Sequence, residues 1–126
     1  MKVFGSSGVR GVANRELTPR RALDVAAAAG TVFDAPRVAV ARDTRTSGEM
    51  LAAAVASGLA SAGADVADLG VAPTPALQAH CERAGVPGAM VTASHNPPEY
   101  NGIKLVGADG VELTRDRLEQ VEAAMA

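Results

Sequence analysis

Short valine-rich runs and longer alanine- and leucine-rich stretches take turns along most of this chain, and that exchange leaves few folds open to it. Thr18-Pro19 opens the first helical stretch, since threonine can cap free N–H groups and proline suits the first helical position. Ala22, Val25, Ala26, Ala29, Val32 and Phe33 follow at helical spacing and form one apolar face. Residues 37–41 read as a strand. Ser47 is the predicted cap of a second helix with Leu51, Val55, Leu59 and Ala62 on one face, ended by Gly63. Residues 65–69 read as another strand, and Thr74-Pro75 repeats the cap-and-proline signal for a third helix that stops at Gly85. Residues 89–92 read as a buried strand and residues 103–106 as its return. Thr114 then caps a last helix whose Leu118, Val121 and Met125 share a face.

Strands alternating with helices predict a three-layer α/β/α domain. The link between Thr92 and Ile103 carries no helical pattern, so those two strands are expected to pair antiparallel. The predicted fold is a mixed, mostly parallel four-stranded sheet whose last strand is antiparallel, in one domain spanning residues 1–126. Only 2% of the 126 residues are aromatic, so the core must be built from Ala, Val, Leu and Ile brought into close contact.

The formal charge is −2, from 12 basic and 14 acidic side chains that are scattered along the chain, which argues against a nucleic-acid partner. Cys81 is the single cysteine, which excludes an internal disulfide and any Cys-rich zinc site. No apolar run resembles a signal peptide or a membrane span. A cytoplasmic protein without a membrane partner is expected.

The chemistry concentrates in Thr92-Ala93-Ser94-His95-Asn96-Pro97-Pro98-Glu99-Tyr100-Asn101-Gly102-Ile103-Lys104-Leu105. It places a serine hydroxyl beyond the C-terminal end of a buried strand, where ligands of α/β sheets tend to bind. Asn96-Pro97-Pro98 stiffens the loop, and Lys104 lies ten residues on, within reach across a hairpin-like loop. A fixed hydroxyl can accept and return a group when a base removes its proton. Read from the residues alone, a polar loop with an ordinary surface lysine fits equally well. Ser94 lacks a Gly-x-Ser-x-Gly elbow, and His95 beside it should point away, so a hydrolase triad is disfavoured. The Gly5-to-Gly11 stretch reads as a turn or as an anion-binding nest. Arg42, Asp43 and Arg45 read as a salt-bridged turn under the serine loop, and His80 and Cys81 as structural. A receiver-type signalling domain would need an acidic cluster at the strand ends, where Asp43 stands alone.

Thr92-Ala93-Ser94-His95-Asn96-Pro97 with Asn101-Gly102-Ile103-Lys104 resembles the phosphoserine signature of the α-D-phosphohexomutase superfamily. Phe4-Gly5-Ser6-Ser7-Gly8-Val9-Arg10-Gly11 is similar to the family's opening motif, and Ala41 to Arg45 and Gly70 to Pro75 also resemble family segments. The likeness covers essentially the whole chain and looks most like archaeal members. It implies the N-terminal domain of a mutase that interconverts hexose 1-phosphates and 6-phosphates through a bisphosphate intermediate. It further implies that Ser94 carries the phosphoryl group, Lys104 is the general base or acid, and Arg10 neutralises the phosphoserine. Ser7, His95 and Asn96 become candidates for contacts to substrate or phosphate. Ser94 would also supply one oxygen to Mg²⁺, a hard cation suited to such ligands.

The same resemblance implies a catalytic cleft shared by four domains, with a metal loop of Asp-x-Asp-x-Asp-Arg. No Asp-x-Asp occurs in this sequence. The chain alone is therefore expected to be inactive, with hexose phosphates and the remaining domains as partners. A surface normally covered by those domains would be exposed and would invite self-association. The alternative is a stand-alone, non-catalytic module that binds phosphosugars or regulates.

Overall fold

The computed structural model describes residues 3–5 and 8–125. In chain order the elements are β1 (Val9–Val12), α1 (Pro19–Phe33), β2 (Arg37–Arg42), α2 (Gly48–Ser61), β3 (Asp65–Val71), α3 (Thr74–Ala84), β4 (Gly88–Val91), β5 (Tyr100–Val106) and α4 (Arg115–Met125). Among the described residues the sheet has five strands in the order β1-β5-β4-β2-β3, one more than the sequence predicts. The extra strand is β1, which overlaps the end of the Gly5-to-Gly11 segment read as a turn or nest. It pairs antiparallel with β5, Val9 opposite Ile103 and Arg10 opposite Gly102. β2 pairs parallel with β3 and β4, and β5 lies antiparallel between β4 and β1. Four strands thus share a direction and β5 alone runs against them.

The path of the chain explains the layers. From β1 to β2 and from β2 to β3 it steps one way across the sheet; from β3 to β4 it steps back. Right-handed crossovers place helices of opposite steps on opposite faces. Two separate cores follow. Ala22, Val25, Ala29, Val55, Leu59, Leu118 and Val121 of α1, α2 and α4 cover Val9, Val38, Val40, Val91, Ile103 and Leu105 of the sheet. On the other face α3 stands alone, with Leu77 and Cys81 against Ala39, Ala41, Met90 and Val106. Cys81 is fully buried there, and that burial pushes its thiol pKa up, which fits the structural reading.

Small side chains set the spacing of the main core. A Cβ at Gly58 would collide with the Leu23 carbonyl oxygen and lie 2.8 Å from the Ala26 Cβ, so α1 and α2 touch almost backbone to backbone.

Two helix starts differ in detail from the sequence reading. Thr18 caps α1 as predicted, accepting from the Arg21 N–H at 3.1 Å, and Thr114 accepts from the Arg117 N–H at 3.3 Å. Ser47 occupies the cap position of α2 but makes no capping bond, because its hydroxyl accepts from the Asn101 side-chain amide at 2.9 Å. At α3 the cap residue is Pro73, and Thr74 is already helical. Ala62, expected on the apolar face of α2, sits exposed at that helix's C-cap.

The N-terminal segment is tied to the last helix by one buried carboxylate. Glu122 accepts from the N–H groups of Val3 and Phe4, the latter at 2.8 Å, and lies 4.0 Å from the Arg115 guanidinium. Arg115 in turn donates to the Phe4 and Gly5 carbonyls at 2.8 and 3.2 Å. The Phe4 N–H, then the Val3 N–H and Arg115, hold the Glu122 carboxyl below the usual range despite its burial. A depressed pKa means that its stabilisation is complete above the unfolded value, about 4.3, and is lost as pH falls through the folded value. Glu122→Gln is expected to cost about 1.5–3 kcal/mol at pH 7, and less at pH 3, in urea denaturation.

Candidate active site

The reversal of step places the C-terminal ends of β2 and β4 side by side, and the loops that follow them meet there. The β2 loop brings Asp43 and Arg45; the β4 loop brings Ser94, His95 and Asn96. Asp43 is anchored by donating its N–H to the Val91 carbonyl at 3.1 Å. Its carboxylate accepts from the Thr92 hydroxyl, from the Arg45 N–H at 3.1 Å and from the Arg45 Nε at 3.2 Å. The Thr92 oxygen in turn accepts from the Ser94 N–H at 3.1 Å. A chain of bonds thus runs from strand β4 through Asp43 to the serine.

Arg45 holds the loop from below. One Nη donates to the carbonyls of Pro97 and Tyr100 at 2.6 and 3.0 Å, the other to those of Ser94 and Asn96 at 2.9 and 2.8 Å. Its side chain is only 11% exposed. Turn bonds from Asn96 N–H to Ala93 and from Tyr100 N–H to Pro97, both 3.0 Å, close the loop on itself. Ser94 is held at φ 54°, a left-handed conformation that costs a non-glycine residue about 1–3 kcal/mol and persists only where its surroundings impose it.

The serine is exposed, and the strand β1 supplies its charged neighbour. Arg10 donates to the Asn96 side-chain oxygen at 2.6 Å and approaches the Ser94 hydroxyl at 3.3 Å. Among the described residues no carboxylate pairs with Arg10, whereas Arg45 is neutralised by Asp43. An exposed hydroxyl beside an unneutralised guanidinium suits an anion on that hydroxyl.

Strand alternation settles the place of Lys104. Ile103 and Leu105 face the main core and Val106 the α3 side, so Lys104 shares the α3 side of the sheet. Arg10, opposite Gly102 where Val9 faces the main core, emerges on that same side. The two are diagonal neighbours across β1 and β5, about 7–8 Å apart at their Cα atoms. α3 packs over β2 and β4, leaving Lys104 half-buried and Arg10 exposed. The structure therefore brings Arg10, Ser94 and Asn96 into direct contact and sets Lys104 on the same face. His95 is exposed and its ring makes no hydrogen bond among the described residues. Ser7 lies outside the described residues.

Gly102 explains one glycine of the motif. A Cβ there would meet the Val9 and Thr92 carbonyl oxygens at 2.6 and 2.7 Å and the Arg10 Cγ at 3.0 Å. The Arg10 side chain crosses β5 over this bare position.

One part of the sequence reading changes. Arg42 is not in the salt-bridged turn; alternation sends it to the α2 side, where it lines a groove with Glu49 and Asp68. The hold of Arg45 on four carbonyls 49 to 55 residues away had no local sequence signal beyond its spacing from Asp43. A groove of about 370 Å³ runs along Asp43, Thr44, Arg45, Thr46, Ser94, Asn96 and Pro98. No group of three or more His, Cys, Asp or Glu side chains able to hold a metal occurs among the described residues. At Ser94 this chain offers a divalent ion one oxygen, next to a guanidinium, and its residues do not form a metal site by themselves.

A three-layer domain with a serine presented at the switch point of its sheet is matched along residues 1–126 by the family described as phosphoglucomutase/phosphomannomutase, alpha/beta/alpha domain I. The chain belongs to this family, the α-D-phosphohexomutase superfamily, as its N-terminal domain. It is 53% identical to a phosphoglucomutase/phosphomannomutase of Thermococcus kodakarensis, over 96% of this chain and 28% of that protein. It is 48% identical to a phosphoglucosamine mutase of Levilactobacillus brevis, over 99% of this chain and 30% of the other. A crystal structure of a phosphoglucomutase/phosphomannomutase family protein from Burkholderia thailandensis superimposes with TM-score 0.87 at 32% identity, covering 98% of this chain and 29% of that one. The chain thus spans under a third of the length of these relatives. No helix among the described residues is long and apolar enough to cross a membrane.

Gly102→Ala is expected to destabilise the domain by about 1–3 kcal/mol, because two of its new contacts are backbone oxygens that cannot yield. Urea denaturation would show the loss, and a crystal structure of the variant should show Arg10 displaced from Asn96.

Proposed function

We propose that this chain is the phosphoserine domain of a hexose phosphate mutase, with Ser94 as the residue that carries the phosphoryl group. The observation that supports this most is the Arg10 guanidinium, without a carboxylate partner among the described residues, 3.3 Å from the exposed Ser94 hydroxyl. Phosphoryl transfer asks for charge neutralisation and in-line placement more than for covalent help. Arg10 supplies the first; the fixed loop supplies the second.

In the forward step the bond from phosphorus to Ser94 Oγ breaks as one forms to a hydroxyl of the hexose phosphate. The hydroxyl proton passes by way of Lys104 to Ser94 Oγ, so the serine departs as its hydroxyl and Lys104 ends as it began. In the second step the Ser94 hydroxyl takes the phosphoryl group from the other end of the bisphosphate as that P–O bond breaks, and the serine proton passes by way of Lys104 to the sugar oxygen released. Asn96 and His95 line the approach, Asn96 by holding Arg10 in place. Mg²⁺ would lower the charge of the transferring group when bound. Its other ligands, and the loops that select glucose, mannose or glucosamine phosphate, would come from further domains, so this domain alone would not turn over substrate. The same loop without those partners could hold a phosphosugar without turnover.

Incubation with a hexose 1,6-bisphosphate, followed by intact-mass measurement, is expected to show one added phosphoryl group on the full-length mutase that carries this domain, and none on its Ser94→Ala variant. Lys104→Ala should lower the mutase rate by about 100- to 10,000-fold. A full-length protein whose Ser94 never carries phosphate would defeat the assignment.

A further inference from the structure

A guanidinium has five N–H donors in one plane, and at Arg45 every one is used. Nε donates to Asp43, one Nη to the Pro97 and Tyr100 carbonyls, the other to the Ser94 and Asn96 carbonyls. A surface arginine in a simple salt bridge leaves most of its donors to water. Here the loop is wrapped around the cation instead.

The choice of residues in the loop fits this arrangement. A peptide carbonyl turned inward sends the N–H of the next residue outward, and a buried N–H so displaced would need its own partner. The carbonyls of Asn96 and Pro97 are followed by Pro97 and Pro98, which have no N–H. Two of the four inward carbonyls therefore leave nothing unsatisfied behind them. The Ser94 carbonyl is different. No peptide bond among the described residues is cis, so its inward turn sends the His95 N–H the opposite way, away from Arg45. That N–H has no protein partner among the described residues. It belongs to the residue following the exposed serine.

We propose that Arg45 is the positioning residue of this loop: by occupying four carbonyls it fixes the left-handed Ser94 and presents the His95 backbone N–H as a hydrogen-bond donor to the phosphoryl group. The phosphoryl part rests on the reading of Ser94 given above. Lysine cannot substitute, because its three donors lack the planar fork that reaches four carbonyls and Asp43 together.

The wild-type protein gives the first test. In ¹⁵N-labelled protein the Arg45 Nη protons are expected as separate, slowly exchanging signals, since rotation about the Cζ–Nη bonds would break the clamp. Averaged, fast-exchanging Arg45 signals would overturn the proposal. In Arg45→Lys, amide exchange at Asn96 and Tyr100 should accelerate at least about tenfold while Val40 and Val91 keep their protection, which also reports that the variant is folded. Wild-type exchange in the loop would overturn it equally. In the full-length mutase the same variant should lower kcat about 100-fold with KM within about threefold, a split that mere destabilisation does not produce. Phosphorylation of wild-type Ser94 should shift the His95 amide proton downfield. A phosphorylated Ser94 without that shift would remove the His95 donor, whereas no phosphate at all would defeat the functional reading and leave the guanidinium and exchange results to judge the clamp.

Discussion

One reversal in the path of the chain sets up everything that follows. Because the chain steps outward from β2 to β3 and then back to β4, the loops beyond β2 and β4 leave in different directions from neighbouring strand ends. The gap between them is where Asp43 and Arg45 meet Ser94. The same reversal sends α3 alone to the second face. With α3 the one helix there among the described residues, the β1–β5 half of that face leaves Arg10 exposed and Lys104 half-buried. Handedness of crossovers, a general steric rule, thus fixes where the charged residues can be useful.

Much of this was written in the local pattern of residues. The four helices fall where apolar spacing and the Thr18 and Thr114 caps put them, and the antiparallel turn into β5 follows from the lack of helical period between Thr92 and Ile103. β1 escaped because four residues carrying Arg10 and Gly11 show no clear alternation, and an edge strand needs only one buried side chain, here Val9. Ser47 and Thr74 misled for a related reason. A hydroxyl near a helix start can be spent on a distant amide, as at Ser47, or pre-empted by a neighbouring proline, as at Thr74.

The site was legible to unequal depth. Ser94, Arg10 and Asn96 came from the motif likeness, and the structure brings them together. Arg45 showed only its two-residue spacing from Asp43, since a side chain that bonds carbonyls across half the sequence leaves no periodic trace. Arg42, two residues after Val40 in an alternating strand, belonged with the α2 face, and counting along β2 would have separated it from Asp43.

The alternation along β5 carries a consequence for tolerance to change. Ile103 and Leu105 are locked into the main core, while Gly102 and Lys104 look the other way. A slip of one residue between β5 and its neighbours would drive the lysine into hydrocarbon and leave isoleucine in water. The placement of the cationic pair is therefore guarded by greasy contacts on the reverse side of the sheet. Substitutions that loosen those contacts would blur the chemistry without touching any polar residue.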